Sequence, residues 1–242
     1  MKKLFALAAI AAAATAPAHA LTTGDIAFTA FNADEDGWSL VTFVDLAANT
    51  KIYFTDGTAS SATAIGGGES AFSWDTGSAV VAAGTVVRFS AIDVPGRAVS
   101  VGTFIPVNST NFGLNATAET IYAFLGSSNA SGSTVTTMLT AVSSEANNTS
   151  LTTVGLTAGT NAVKLTSSAD FAGYTGVRTG LSSFAAYAPL VNNAANWAIN
   201  VNGDGTSVLP DTTVFAAVPE PETYALMLAG LVAVGMMARR RA

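Results

Sequence analysis

Between residues 21 and 218 the chain alternates short runs of Val, Ile, Phe, Tyr, Trp and Thr with clusters of Gly, Asn, Asp and Ser. Runs of β-branched and aromatic residues bounded by turn formers predict strands. Strands are expected at 26–31, 38–45, 51–55, 71–74, 85–90, 120–125, 134–139, 162–165 and 197–201. No window of roughly 15 residues in this body combines a helical period with capping signals, although 181–191 has room for one or two helical turns. Frequent strands and turns without a fixed repeat predict an all-β sandwich rather than an α/β fold, a solenoid or a propeller. The Ser-, Thr-, Asn- and Gly-rich stretch 126–161 predicts a mobile insertion or an exposed hairpin.

The two ends break this pattern. Met1-Lys2-Lys3, the apolar run Leu4 to Ala14 and the small-x-small triplet Ala18-His19-Ala20 predict an export signal with cleavage after Ala20. A buried Ala-rich helix is the alternative, and the terminal lysine pair and the abrupt switch to Leu21-Thr22-Thr23-Gly24-Asp25 speak against it. At the other end stand Pro219-Glu220-Pro221, an apolar run from Tyr224 to Ala238, and Arg239-Arg240-Arg241. Prolines on both sides of Glu220 are expected to keep that segment extended and accessible to an enzyme. The apolar run predicts a single transmembrane helix of about 22 Å at ~1.5 Å per residue, short for a ~30 Å hydrocarbon core. Snorkelling arginines and local thinning would make up the difference, with the basic cluster on the cytoplasmic side. The expected organisation is therefore an export signal (1–20), an extracellular sandwich (21–218) and a terminal segment (219–242).

Charge and composition narrow the chemistry. The 242-residue chain is 50% apolar and only 11% charged, and it has no cysteine. Without its two ends it keeps five cations against fourteen carboxylates, a formal charge of −9. That excludes the basic stripe a nucleic-acid partner requires. His19 is the sole histidine and falls inside the export signal. A mature chain lacking His and Cys has no Ser-His-Asp triad, no Cys-His nucleophile and no ordinary zinc site. Carboxylate chemistry, calcium binding or a non-catalytic role are left.

Three acidic clusters are candidates. Asn32, Asp34, Glu35, Asp36 and Gly37 begin like a calcium loop, but Phe43 occupies the twelfth position, so a connecting turn is the simpler expectation. Asn200, Asn202, Asp204, Gly205 and Asp211 respect the spacing of a calcium loop at positions 1, 3, 5, 6 and 12. Asparagines at positions 1 and 3 and Pro210 would make such a site weak. Asp56, Glu69 and Asp75 would serve glycoside hydrolysis if they converge at one end of the sandwich. Trp38, Trp74 and Trp197, with Tyr53, Tyr122, Tyr174 and Tyr187, supply either core or a flat sugar-stacking platform.

The ordered tripartite tail, Pro219-Glu220-Pro221, then Tyr224 to Ala238, then Arg239 to Arg241, resembles the bacterial PEP-CTERM sorting signal. That resemblance covers about the last 24 residues. It implies processing near Pro219 to Pro221 by exosortase, a membrane transpeptidase, while the chain is held in the inner membrane. The product would then go to the cell surface or an extracellular polysaccharide matrix. A permanent single-pass anchor with a chance Pro-Glu-Pro is the alternative reading of the same helix. Gly24 to Asn32, the acidic loop Asp34 to Gly37, Ser39 to Leu46 and Lys51 to Gly57 resemble exported domains related to the lamin-tail immunoglobulin-like sandwich. This implies a binding or structural module. The expectation is a non-enzymatic surface or matrix protein of structural or adhesive role, with no cofactor unless calcium. An exopolysaccharide-binding module and a carboxylate-dependent glycoside hydrolase are the alternatives.

Overall fold

The computed structural model describes residues 20–108, 111–218 and 221–240. The export signal up to His19, including Ala18, lies outside the described residues, as do Pro219, Glu220 and Arg241. Ala20 is the first described residue and is exposed.

The strands are β1 (Ile26–Asn32), β2 (Gly37–Thr42), β3 (Lys51–Thr55), β4 (Ala59–Ser61), β5 (Ala64–Gly66), β6 (Ala71–Asp75) and β7 (Val86–Ser90). They continue with β8 (Ala98–Val99), β9 (Thr103–Pro106), β10 (Thr120–Asn129), β11 (Gly132–Ser143), β12 (Val163–Lys164), β13 (Phe171–Tyr174) and β14 (Trp197–Asn200). Among the described residues there are three α-helical segments, α1 (Thr149–Thr153) and α2 (Ala188–Val191) between strands and α3 (Pro221–Arg240) after the last one. One sheet has the order β14-β13-β1-β2-β7-β8 and the other β4-β5-β11-β10-β3-β6-β9. Every pairing along both paths is antiparallel, and β12 adds to β11 in parallel. The body is an all-β sandwich.

Aromatic side chains hold the sheets together. Trp38 on β2 meets Phe54 on β3 at 5.3 Å, Phe104 on β9 at 5.9 Å and Phe72 on β6 at 6.2 Å. Phe89 on β7 completes the cluster, 5.5 Å from Trp38 and 4.9 Å from Phe104. Each such ring contributes about 1.5–3 kcal/mol by burial, and favourable ring pairs add roughly 0.5–1.5 kcal/mol.

Strands β1 and β2 are buried at every position, which is why their sequences do not alternate apolar with polar. A strand covered on both faces has no solvent side to display. β11 lies over β1 from the opposite sheet and α2 packs on it as well. Buried polar groups on these strands are paired, as in the 2.9 Å contact between the Thr29 and Ser39 hydroxyls.

The expected strands at 26–31, 51–55, 71–74, 85–90 and 197–201 are present to within two residues at either end. β10 and β11 run well past 125 and begin before 134, so the first part of the polar 126–161 stretch is the far end of a long hairpin. The helical turns foreseen within 181–191 are a 3-10 turn at Phe184–Tyr187 followed by α2. Five short strands, β4, β5, β8, β9 and β13, have no counterpart in the sequence reading. Each is four residues or fewer, too short to show a period.

Candidate functional site

Four carboxylates collect at one end of the second sheet. Asp56 follows β3, Glu69 precedes β6, Glu119 precedes β10 and Glu145 follows β11. These strands are antiparallel neighbours in the order β11-β10-β3-β6, so the end of one and the start of the next lie side by side. Together with Thr58, Asn111 and Asn115 the four carboxylates line an open cleft of about 590 Å³. Asp75, grouped with Asp56 and Glu69 on sequence grounds, sits at the opposite end of β6, where it pairs with Lys51 in the ladder. The direction of one five-residue strand separates it from the others.

Backbone donors hold part of the cleft. Glu119 is buried and accepts N–H bonds from Asn115 (2.9 Å) and Thr120 (3.0 Å). Glu145 accepts from the Ser150 hydroxyl at 2.7 Å and the Thr120 hydroxyl at 3.3 Å. The Asn111 amide donates to Glu69. Asp56 Oδ1 is buried without a hydrogen-bond partner. Burial pushes the Asp56 carboxyl up to about 7 against the pull of Ser70, and the Glu69 charge adds to the rise. Burial likewise pushes Glu119 up to about 8, reinforced by the charge of Asp56. Protons are therefore retained here near neutrality. Among the described residues no group of three or more His, Cys, Asp or Glu side chains is placed to hold a metal ion.

The acidic loop between β1 and β2 is a turn that ties three distant segments. Asp34 accepts the Gly205 N–H at 2.7 Å, Glu35 accepts the Ala91 N–H at 3.1 Å, and Asp36 accepts the Leu114 N–H at 2.5 Å. Asp36 takes a positive φ of 55° to close the turn. Burial raises Glu35 to about 7 although Ala91 and Arg88 oppose it.

Of the residues with calcium-loop spacing, Asp204 and Asp211 direct their carboxylates at partners of their own. Asn200 ends β14, and its carbonyl accepts the Asp170 N–H. Asn202 lies in the exposed turn after that strand. Asp204 is exposed and caps the Thr206 N–H at 3.1 Å. The Asp211 carboxylate meets the Arg178 guanidinium at 2.8 Å and accepts from the Thr213 hydroxyl at 2.7 Å. Burial opposes ionisation of Asp211, but the Thr213 bonds and the Arg178 charge outweigh it and lower the carboxyl below its ordinary value.

The aromatic platform is not formed by the tryptophans. Trp38, Trp74 and Trp197 are 1%, 0% and 7% exposed, so they belong to the core, as do Tyr122, Tyr174 and Tyr187. Tyr53 is half-buried and stacks on Phe124 at 5.8 Å.

Ahead of the terminal segment the chain is strapped to the body. Phe215 and Ala216 donate N–H bonds to the Gly84 and Arg178 carbonyls, and Val218 donates to Leu181, each at 2.8 Å. Phe215 is buried, with Tyr174 stacked on it at 5.8 Å and Tyr187 edge-on at 5.2 Å. The Tyr187 hydroxyl donates to the Ala216 carbonyl at 2.9 Å and accepts the Leu181 N–H at 3.0 Å. Gly84, at φ +86°, lets this happen: a Cβ there would run into the Phe184 ring and the Phe215 carbonyl.

Beyond the strap, α3 runs for 20 residues, about 30 Å at ~1.5 Å per residue. It begins at Pro221 rather than three residues later. The expectation that both prolines hold the chain off any helix is corrected for Pro221, whose fixed φ and missing N–H suit the first helical position. The large apolar side chains described on α3, among them Leu226, Leu228, Leu231, Val234 and Met237, are exposed. Arg239 lies in its last turn, followed by Arg240. Among the described residues no helix meets the length and apolarity needed to cross a membrane.

The chain matches no curated protein and no solved structure. The family model of the PEP-CTERM protein-sorting motif matches residues 217–241, so the strap's last two residues, Pro219-Glu220-Pro221, α3 and all three arginines fall within one sorting motif, which supports an exosortase substrate.

Proposed function

We propose that this is an exported, non-enzymatic β-sandwich protein with a structural or adhesive role at the cell surface or in an extracellular polysaccharide matrix. The single observation that carries the reading is the sorting motif at 217–241 directly following a folded body. In this reading Met1 to Ala20 is removed on export, and α3 holds the chain in the inner membrane while exosortase acts near Pro219 to Pro221. The apolar stretch is short for a bilayer, so flanking arginines and local thinning complete the span. The first three strands, with their acidic loop, support placing the body among lamin-tail-like immunoglobulin-type sandwiches.

The test is the intact mass of protein recovered from cell surface and medium. Loss of the first 20 residues and of everything after about Pro219 is expected. Replacing Arg239, Arg240 and Arg241 by serine is expected to leave a full-length, mis-sorted precursor, and normal size and delivery of that variant would refute the sorting reading.

The acidic cleft favours one second reading, a carboxylate-dependent glycoside hydrolase. Two carboxyls that line one cleft and have raised affinity for protons are the acid–base groups such chemistry needs. Release of reducing sugar from the producer's polysaccharide, abolished by Asp56→Asn or Glu119→Gln, would establish it. Retention on that polysaccharide without turnover would favour a saccharide-binding role instead.

A further inference from the structure

We propose that residues 211–218 are a clasp that must open before the sorting motif can be processed. The proposal rests on the sorting reading above and adds to it what controls access. Among the described residues, the last hydrogen bond to the body, from Val218 to Leu181, is made by the residue immediately before Pro219. No spacer separates folded domain from signal.

Enzymes that cut or transfer a peptide hold several residues before the reacting bond as an extended strand, pairing with their backbone N–H and C=O groups. Four such residues span about 13 Å at ~3.3 Å each. Here those four are Phe215, Ala216, Ala217 and Val218. The N–H groups of Phe215, Ala216 and Val218 are already given to Gly84, Arg178 and Leu181, and the Ala216 carbonyl to Tyr187. The same groups cannot pair with an enzyme at the same time.

Side chains keep the clasp shut. The Arg178 guanidinium lies 4.9 Å from the Phe215 ring centroid, binds Asp211 at 2.8 Å and donates to the Thr213 carbonyl at 2.5 Å. It also donates to the Tyr174 carbonyl at 3.2 Å, which anchors it to the body. Phe215 enters between Tyr174 and Tyr187 while its neighbours Val214, Ala216 and Val218 face out. Local opening of such a peripheral segment requires no unfolding of the sandwich. Processing then proceeds at a rate proportional to the fraction of chains with the clasp open.

The test follows conversion of full-length precursor to the shortened form in membranes that carry the processing enzyme. Asp211→Asn breaks the ion pair with Arg178 while its remaining oxygen keeps the Thr213 bonds, and conversion is expected to speed up by about two- to fivefold. Phe215→Ala empties the pocket and is expected to accelerate it by at least about tenfold. Tryptophan fluorescence reports whether the sandwich stays folded, because Trp38 and Trp74 lie in its core. If Phe215→Ala fails to fold, Asp211→Asn alone decides. Conversion at or below the wild-type rate in a folded variant overturns the clasp. A wild-type chain that is never shortened overturns the sorting reading itself, and the clasp with it.

Discussion

Glu119 and Asp56 share one cleft, and the Glu119 carboxyl is raised to about 8 first by burial and then by the Asp56 charge. Asp56 is itself raised to about 7 and Glu35, in the opposite sheet's acidic turn, to about 7. In an unfolded chain these groups titrate near 4 to 4.5. The folded state therefore binds protons more tightly, and the stability this provides is complete below about pH 4 and lost as pH rises through 7 to 8. Each pKa unit is worth about 1.4 kcal/mol, so even part of the displacement of Asp56 and Glu119 amounts to a few kcal/mol. The melting temperature of the 21–218 body is expected to fall by at least about 5 °C between pH 5 and pH 8.5. Calorimetry across that range checks it, and a melting temperature that rises with pH would exclude the assignment.

Asp56→Asn should flatten that profile. Its Oδ1 has no hydrogen-bond partner, so the substitution leaves no bond broken there while removing a charge that opposes ionisation of Glu119. Above pH 8 the variant is expected to melt higher than the parent, and at about pH 3, where Asp56 is neutral in both the folded and the unfolded chain, the two should nearly coincide. Equal displacement of the variant at both pH values would mean that the carboxylate acts through packing alone.

Trp38 and Phe89 answer differently to truncation. Phe89 is fully buried against Trp38, Trp74, Phe54 and Phe104, and Phe89→Ala should cost about 3–5 kcal/mol by the cavity it leaves. Trp38 carries a buried indole N–H without a partner, and Trp38→Phe removes that unsatisfied donor along with part of the ring. Its cost should stay below about 1.5 kcal/mol. Urea unfolding of the two variants separates the cases, and comparable losses would show that ring volume, not hydrogen bonding, governs the site.

What could be read from the sequence follows from how far each signal acts. β3 is written in five consecutive residues, Lys51-Ile52-Tyr53-Phe54-Thr55, and its limits in the fold coincide with that run. The tail is likewise local: its three parts follow in order, and the matched motif spans them. Asp56 and Glu69 could be paired because both flank recognisable strands. Asp75 stands apart from them because β6 carries it to the opposite end, and sequence does not give a strand's direction relative to its neighbours. Glu119 and Glu145 each border a strand region, but only the order β11-β10-β3-β6, which sequence does not show, brings them to the same end. The strap was invisible because Phe215 looks like any apolar residue in a terminal linker until Tyr174, Tyr187 and Gly84 surround it.

Asn32 joins two loops through a single amide. Its nitrogen donates to the Gly205 carbonyl at 2.9 Å and the Val208 carbonyl at 2.7 Å, and its oxygen accepts the Asp34 and Glu35 N–H groups at 2.9 and 3.0 Å. The side chain is 2% exposed, so none of these bonds is replaced by water if lost. Asn32→Asp keeps the acceptor but turns the donor into a second oxygen facing two carbonyls. Asn32→Ala loses all four bonds without adding repulsion. Above pH 7 the aspartate variant should therefore be the less stable of the two, by at least about 1 kcal/mol. The gap should narrow below pH 5, where a protonated carboxyl regains one donor. Amide hydrogen exchange gives the local readout: the N–H of Val208, bonded to the Gly205 carbonyl at 2.8 Å, should exchange faster in both variants while the β3 amides keep their protection. Unchanged exchange at Val208 would show that the loop is held by the Asp34 bond to Gly205 and not by the amide.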